Sequence, residues 1–179
     1  MSDPVFVIHA HDTARDRVHY DLRLEIDGVL KGWSIPRGPS TNPRVKRLAI
    51  PVNDQPLAFA PFEGIIDDPS SEAGTVQVWD IGVYHNLKNI HGQTTMSMAQ
   101  QLERGEILIH LEGQKLTGGF ALIKLQNPKG GGNPWLLVKM RDEFASVRSR
   151  AKKDSSAVTG RTVAEIRAAS RLSKAQSKP

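Results

Sequence analysis

The chain has 179 residues, 39% hydrophobic and 24% charged, enough for one domain of ordinary size and a tail. It holds no cysteine, which excludes disulfides, thiol catalysis and cysteine-held zinc or iron–sulfur centres, so any transition metal needs histidine and carboxylate ligands. The net charge of +5 is unevenly placed: from Val147 onward nine basic residues face two acidic ones, a local +7 that leaves the rest at −2.

No run of 18 apolar residues occurs, and the opening Met-Ser-Asp-Pro-Val lacks the basic-then-apolar layout of a signal peptide. The expectation is a soluble cytoplasmic protein. Along the chain, residues 5–8 read as a short strand. Residues 18–26 alternate, with Val18, Tyr20, Leu22, Leu24 and Ile26 on one face and His19, Asp21, Arg23 and Glu25 on the other. Asp27-Gly28 then predicts a tight hairpin into residues 29–35, because both turn positions favour positive φ. Pro36 to Pro43 is a rigid loop, Lys46–Val52 another strand, and 53–73 an irregular stretch. Thr75–Trp79 alternates again, and Val83-Tyr84 continues it after a turn at Asp80-Ile81-Gly82. Residues 94–104 suit a short helix stopped by Gly105. Strands at 106–111, 119–125 and 135–140 follow. One helical segment, Thr162–Ala169, is expected near the C-terminus, with Val163 and Ile166 as its apolar contacts. About eight short strands with turn punctuation argue an antiparallel barrel or sandwich. The basic end, 147–179, is either a solvated extension or an anchor for a phosphate backbone.

The chemistry concentrates in the first quarter. His19, Asp21 and Arg23 stand in a row about 7 Å apart per step on one strand face. Such a face is ordinarily solvated, and Arg23 could simply pair with Asp21 or Glu25. With His11 added, however, two imidazoles and one carboxylate form a facial ligand set with open positions, suited to a borderline divalent ion such as Mn²⁺ or Zn²⁺. Arg23, Arg37 and Arg47 supply guanidinium groups that match phosphate oxygens. A metal beside several arginines is equipment for phosphoryl chemistry. His85, His91 and His110 are scattered and read as structural or exposed. Trp33, Trp79 and Trp135 lie in strand candidates and read as packing residues.

The stretch from His11 to Trp33, with its His19-Tyr20-Asp21-Leu22-Arg23-Leu24-Glu25 core, resembles the opening of the 3′-phosphoesterase domain of bacterial DNA ligase D. The likeness continues through Pro36-Arg37-Gly38-Pro39, Lys46–Ala49, Phe62-Glu63-Gly64, Ala73–Gly82 and Trp135–Lys139. Val158–Ile166 is similar to the sequence that follows the domain in many members. The resemblance implies a mainly β protein: a compact antiparallel β-barrel with one or two short helices and a basic C-terminal tail, divided as 1–146 and 147–179. It implies an Mn²⁺-dependent enzyme, other divalent transition metals being alternatives, that removes a 3′-terminal ribonucleotide and then the 3′-phosphate. It would thereby heal DNA 3′ ends for double-strand break repair by non-homologous end joining. The metal ligands carry over to His11, His19 and Asp21, and the phosphate-binding side chains to Arg23, Arg37 and Arg47. Partners implied are DNA 3′ ends and a ligase, polymerase or Ku protein, in the cytoplasm at the nucleoid.

This sequence departs from the family pattern in places. The His11–His19 spacing is two residues longer than usual, read as a loop insertion around Asp16-Arg17. Gln55 stands where the family has a phosphate-contacting histidine, and Phe59 where it has tyrosine. Gln55 can donate a hydrogen bond but cannot carry a proton, unless His9, His85 or His91 takes over. A binding module that keeps metal and phosphate recognition but has lost turnover is the alternative reading. A cupin-like Fe(II) oxygenase would use the same ligand set, but the crowd of arginines argues against it.

Overall fold

The alternation is realised as nine strands in a computed structural model, which describes residues 2–13, 18–67, 73–88, 95–126, 129–148 and 154–177. The strands are β1 (Val5–Asp12), β2 (His19–Ile26), β3 (Val29–Ile35), β4 (Lys46–Pro56), β5 (Gly64–Ile66), β6 (Gly74–Asn86), β7 (Glu106–Gly113), β8 (Thr117–Lys124) and β9 (Trp135–Lys139). Helix α1 (Met98–Arg104) precedes β7, and α2 (Val163–Gln176) lies near the C-terminus. Eight strands close an antiparallel ring in the order β1-β2-β3-β4-β9-β8-β7-β6, with β6 pairing back onto β1. Short β5 adds to the first residues of β6. The expected barrel with two helices is what forms.

Closure follows from the sequence pattern. Phe6, Ile8, Leu22, Leu24, Trp33, Trp79, Phe120 and Leu122 point inward and are almost wholly buried. Full burial of each such side chain is worth about 1.5–3 kcal/mol. The three tryptophans belong to this core, Trp33 and Trp135 meeting edge to face at 5.5 Å. The β2–β3 hairpin turns at Asp27 (φ 51°) and Gly28 (φ 79°), both in the left-handed region, as Asp-Gly predicts.

The structure departs from the sequence expectation in four elements. First, β6 runs unbroken through Asp80-Ile81-Gly82. Asp80 is fully buried and accepts backbone N–H groups across the sheet, and a Cβ on Gly82 would lie 2.0 Å from the Glu112 carbonyl oxygen. The turn-type residues there serve long-range contacts. Second, β4 continues to Pro56 through a bulge opposite Lys31. Third, β5 lies inside the stretch expected to be irregular. Fourth, α2 runs seven residues past Ala169, because it is fixed less by an apolar stripe than by its capping box (Thr162 with Glu165), one buried residue (Ile166) and ion pairs to the barrel. Helix α1 starts at a Ser97–Gln100 capping box and ends at left-handed Gly105. Thr94, the expected start of that helix, lies outside the described residues.

Candidate metal centre and phosphate pocket

The core fills one face of β1 and β2, so the alternate residues project from the outer wall of the barrel. The antiparallel register sets His11 opposite His19, His9 opposite Asp21 and Val7 opposite Arg23. On β3, Ser34 faces Asp21 and Gly32 faces Arg23. Two bulges flank this patch, one in the β1–β6 pairing between Ile8 and His9, the other in the β3–β4 pairing next to Gln55. Bulges of this kind re-aim side chains beside functional sites.

His11, His19 and Asp21 each offer a ligand atom, all within 4.8 Å of one another. His11 Nδ1 is 3.9 Å from Asp21 Oδ2, His19 Nε2 is 3.5 Å from Asp21 Oδ1, and the two imidazole rings are 4.8 Å apart. His11 and Asp21 are buried and His19 is half-buried. Burial pushes the Asp21 carboxyl up. The hydrogen bond from His19 and the charges of His19, Arg23 and His11 outweigh that and hold it below the usual carboxylate range. Space beside the His11 ring is kept open by Gly74, where a Cβ would come 3.1 Å from His11 Nε2 and 2.4 Å from the Asp12 carbonyl oxygen. Two imidazoles, an ionised carboxylate and a glycine-lined gap fit a divalent transition metal.

Arg23 is 3% exposed and lies flat across the sheet. Its Nη1 donates to the Asn53 carbonyl at 2.9 Å, an acceptor within the β4 bulge, and its guanidinium sits 5.7 Å from the centre of the Phe59 ring. Gly32 makes this possible, since a Cβ there would be 2.7 Å from Nη1. One pocket gathers the three ligands, Arg23, Gln55, His9, Phe59, Ser34, Val52, Ile66 and Val76. Arg37 and Arg47 line a different cleft, with Pro36, Lys46 and Leu48.

Of the three histidines considered as substitutes at position 55, His9 lines the pocket. His85 bonds Glu112 at 3.0 Å elsewhere, and His91 lies outside the described residues, as does the loop around Asp16-Arg17. The His9 ring is 5.0 Å from Phe59, which stacks on Phe62. Its Nε2 carries the hydrogen, donated to the Ala60 carbonyl at 3.1 Å, and its Nδ1 has no hydrogen-bond partner among the described residues. Burial, reinforced by the Arg23 charge, lowers the His9 pKa to about 4, against the pull of Asp21, so the imidazole is neutral at working pH. Ser34, Val52, Ile66 and Val76 were not marked by sequence, because only strand pairing brings them here.

Burial of His9 as a neutral ring makes stability depend on pH. The folded value lies below the 6.5 of a free imidazole, so unfolding takes up a proton. The stability this neutral ring contributes is complete above about pH 6.5 and is lost as pH falls toward 4. Between pH 7.5 and 4.5 the loss is expected to be about 2–3 kcal/mol. In His9→Gln, whose amide can still donate to Ala60, this part of the acid sensitivity disappears. Urea unfolding with EDTA at the two pH values reads the difference, and equal acid losses in both proteins refute it.

With the geometry in hand, comparison with known proteins is direct. The family model of the DNA Ligase D 3'-phosphoesterase domain matches residues 9–124, more than half of the chain, including every ligand and pocket residue named above. The chain is 42% identical over 137 residues to the multifunctional non-homologous end joining protein LigD of Pseudomonas aeruginosa, covering 76% of this chain and 15% of that protein. It is 36% identical over 138 residues to the multifunctional non-homologous end joining DNA repair protein LigD of Mycobacterium tuberculosis, covering 77% and 16%. The LigD protein of Mycolicibacterium smegmatis is 34% identical over 143 residues, covering 77% and 17%. The chain thus spans about a sixth of the length of these relatives. Matched over most of its barrel and its whole outer-wall pocket, this chain belongs to the DNA ligase D 3′-phosphoesterase domain family.

Proposed function

We propose that this chain is a metal-dependent 3′-phosphoesterase that heals DNA 3′ ends in non-homologous end joining, cutting a terminal ribonucleotide so that its phosphate stays on the strand and then removing that 3′-phosphate. The observation that carries the reading is the convergence of His11, His19 and Asp21 to within 4.8 Å, in one pocket with Arg23. We assign Mn²⁺ to the three ligands. When bound it polarises a phosphoryl oxygen and acidifies a water. Arg23, prevented from swinging by Asn53, Gly32 and Phe59, holds the charge of the phosphate, and Gln55 donates a hydrogen bond to it. In the second step water adds to phosphorus, the P–O3′ bond breaks, and the 3′ oxygen takes a proton. Arg37 and Arg47, in their separate cleft with Lys46, we assign to phosphates farther along the strand. The setting we propose is a DNA end with a ligase, a polymerase or Ku, at the nucleoid.

The test is a DNA primer bearing a 3′-phosphate or a 3′-ribonucleotide, incubated with protein and Mn²⁺. Formation of a 3′-hydroxyl end above a His19→Ala control supports the enzyme, and its absence refutes it.

A second reading has its own observation. Gln55 cannot carry a proton, and His9, the pocket histidine outside the proposed ligand set, is neutral, with a pKa of about 4. On that footing the chain is an end-binding module with weakened turnover. Gln55→His restores a general acid, a group worth about 10²–10⁴-fold. We expect the variant to gain at least ~10-fold in 3′-phosphatase rate in Mn²⁺, with unchanged DNA affinity. No gain means that Gln55 is not the limiting group.

A further inference from the structure

We infer that the C-terminal segment is a clasp that keeps the metal centre in shape, with Arg167 as a positioning residue for His11. The inference rests on the reading of His11, His19 and Asp21 as metal ligands, and it concerns a segment beyond residue 124, where the family match ends. By composition the basic end reads as a solvated extension or an anchor for nucleic acid. In the structure three of its cations pair with carboxylates near the barrel wall. Arg167 pairs with Asp12 and donates from Nε to Thr75 Oγ1 at 3.2 Å, Lys174 bonds Asp67 at 2.7 Å, and Arg161 approaches Glu63 at 3.8 Å.

The position of these carboxylates in the chain gives the clasp its meaning. Asp12 directly follows the ligand His11 on β1. Asp67 directly follows Ile66, a pocket residue at the end of β5. Helix α2 therefore ties the two walls of the pocket together. Its N-terminal end is anchored firmly. The Ala157 N–H donates to the Val78 carbonyl at 2.8 Å, and the Gln77 side chain donates to the carbonyls of Asp154 and Arg161, each at 2.8 Å. Ile166 is 1% exposed, and the buried Glu63 carboxylate accepts the Ser156 and Thr159 hydroxyls together with the Val78 N–H.

Exposed ion pairs contribute little singly. Here they act on a backbone with no slack, since Gly74 already packs against the Asp12 carbonyl and the His11 ring with no room for a Cβ. A shift of Asp12 is passed straight to His11. Groups that orient a metal ligand from outside typically carry 10–100-fold in metal affinity.

The experiment uses the full chain and Mn²⁺ alone, titrated by electron paramagnetic resonance. Arg167→Ala is expected to bind Mn²⁺ about 10-fold more weakly, Arg167→Lys to regain most of that loss, and Arg171→Ala, an exposed cation one turn on, to match the wild type. In metal-free protein the imidazole NMR signals of His11 and His19 are expected to move in Arg167→Ala and to return in Arg167→Lys. Should Arg167→Ala fail to fold, Asp12→Asn tests the same pair from the other side, with the same expected losses. Wild-type Mn²⁺ binding with unchanged affinity and unchanged imidazole signals in Arg167→Ala overturns the clasp and leaves the metal centre standing. A wild type that binds no Mn²⁺ overturns the metal centre. The imidazole signals then still decide the clasp: displaced signals support it, and unmoved ones overturn it.

Discussion

Asp21→Asn is expected to lower Mn²⁺ affinity by more than ~100-fold and to bring 3′-end processing to background. Outer groups that merely orient ligands are worth 10–100-fold, and a direct anionic ligand is worth more. The substitution keeps the size of the side chain but removes its charge and one oxygen donor. Asp21 is the residue on which the pocket converges: His11 and His19 approach its two oxygens at 3.9 and 3.5 Å, and Arg23 shares its field. The amide also removes an anion whose field offsets the buried Arg23 guanidinium and the two imidazoles, which costs binding of any cation there. Isothermal titration with Mn²⁺ and a gel assay on 3′-phosphate DNA measure the two effects. His85→Ala, whose ring bonds Glu112 away from the pocket, should leave both unchanged. Wild-type affinity in Asp21→Asn would remove the carboxylate from the ligand set.

The largest effect on stability is expected at Asp80, which the pocket does not use. Its carboxylate is fully buried and accepts four backbone N–H groups: Ile81 at 3.0 Å, Gln114 at 2.8 Å and Lys115 at 3.1 Å on Oδ1, and Leu116 at 2.8 Å on Oδ2. It thereby pins the turn between β7 and β8 onto β6. A buried donor left without an acceptor costs about 1–3 kcal/mol, so Asp80→Ala, which strands several, should destabilise the protein by about 4 kcal/mol. Asp80→Asn keeps the oxygen that serves three donors but sets an NH₂ group against the Leu116 N–H, for a loss of about 2 kcal/mol. Urea unfolding of the three proteins gives the order. Equal stabilities would mean that the turn holds itself.

Much of the site could be read from the chain because it depends on near neighbours. The alternation of 18–26 separated Leu22 and Leu24 from His19, Asp21 and Arg23, and the barrel keeps that division. The Asp27-Gly28 turn depends on two dihedral angles and was equally legible. Sequence could not show that the polar face would be covered, since Phe59 follows the bulged end of β4, Ile66 lies on β5 beside β6, and Val76 is set opposite His11 by the pairing of β6 with β1. Arg37 and Arg47 were grouped with Arg23 by charge. Ala49 is buried in the interior, so Arg47, two residues earlier, starts out toward that face, whereas Val52 looks onto the pocket. His9 carried a signal, since it is two residues from His11 on one strand and must share its face. The pairing of the basic end with the barrel carried none, because the acidic partners of Arg161, Arg167 and Lys174 are about 100 to 155 positions away and equally ordinary on the surface.

The division of labour on β1 and β2 also has a consequence for descent. Odd positions there line the pocket (His9, His11, His19, Asp21, Arg23), and even ones fill the core (Ile8, Ala10, Leu22, Leu24). The gene therefore has something like a second reading frame, of period two. Inserting or deleting one codon inside either strand would exchange pocket residues for core residues throughout the rest of that strand. Changes of length are accordingly expected to be tolerated only in the connection between the strands. Swaps among hydrophobes at even positions can accumulate without altering what the pocket recognises.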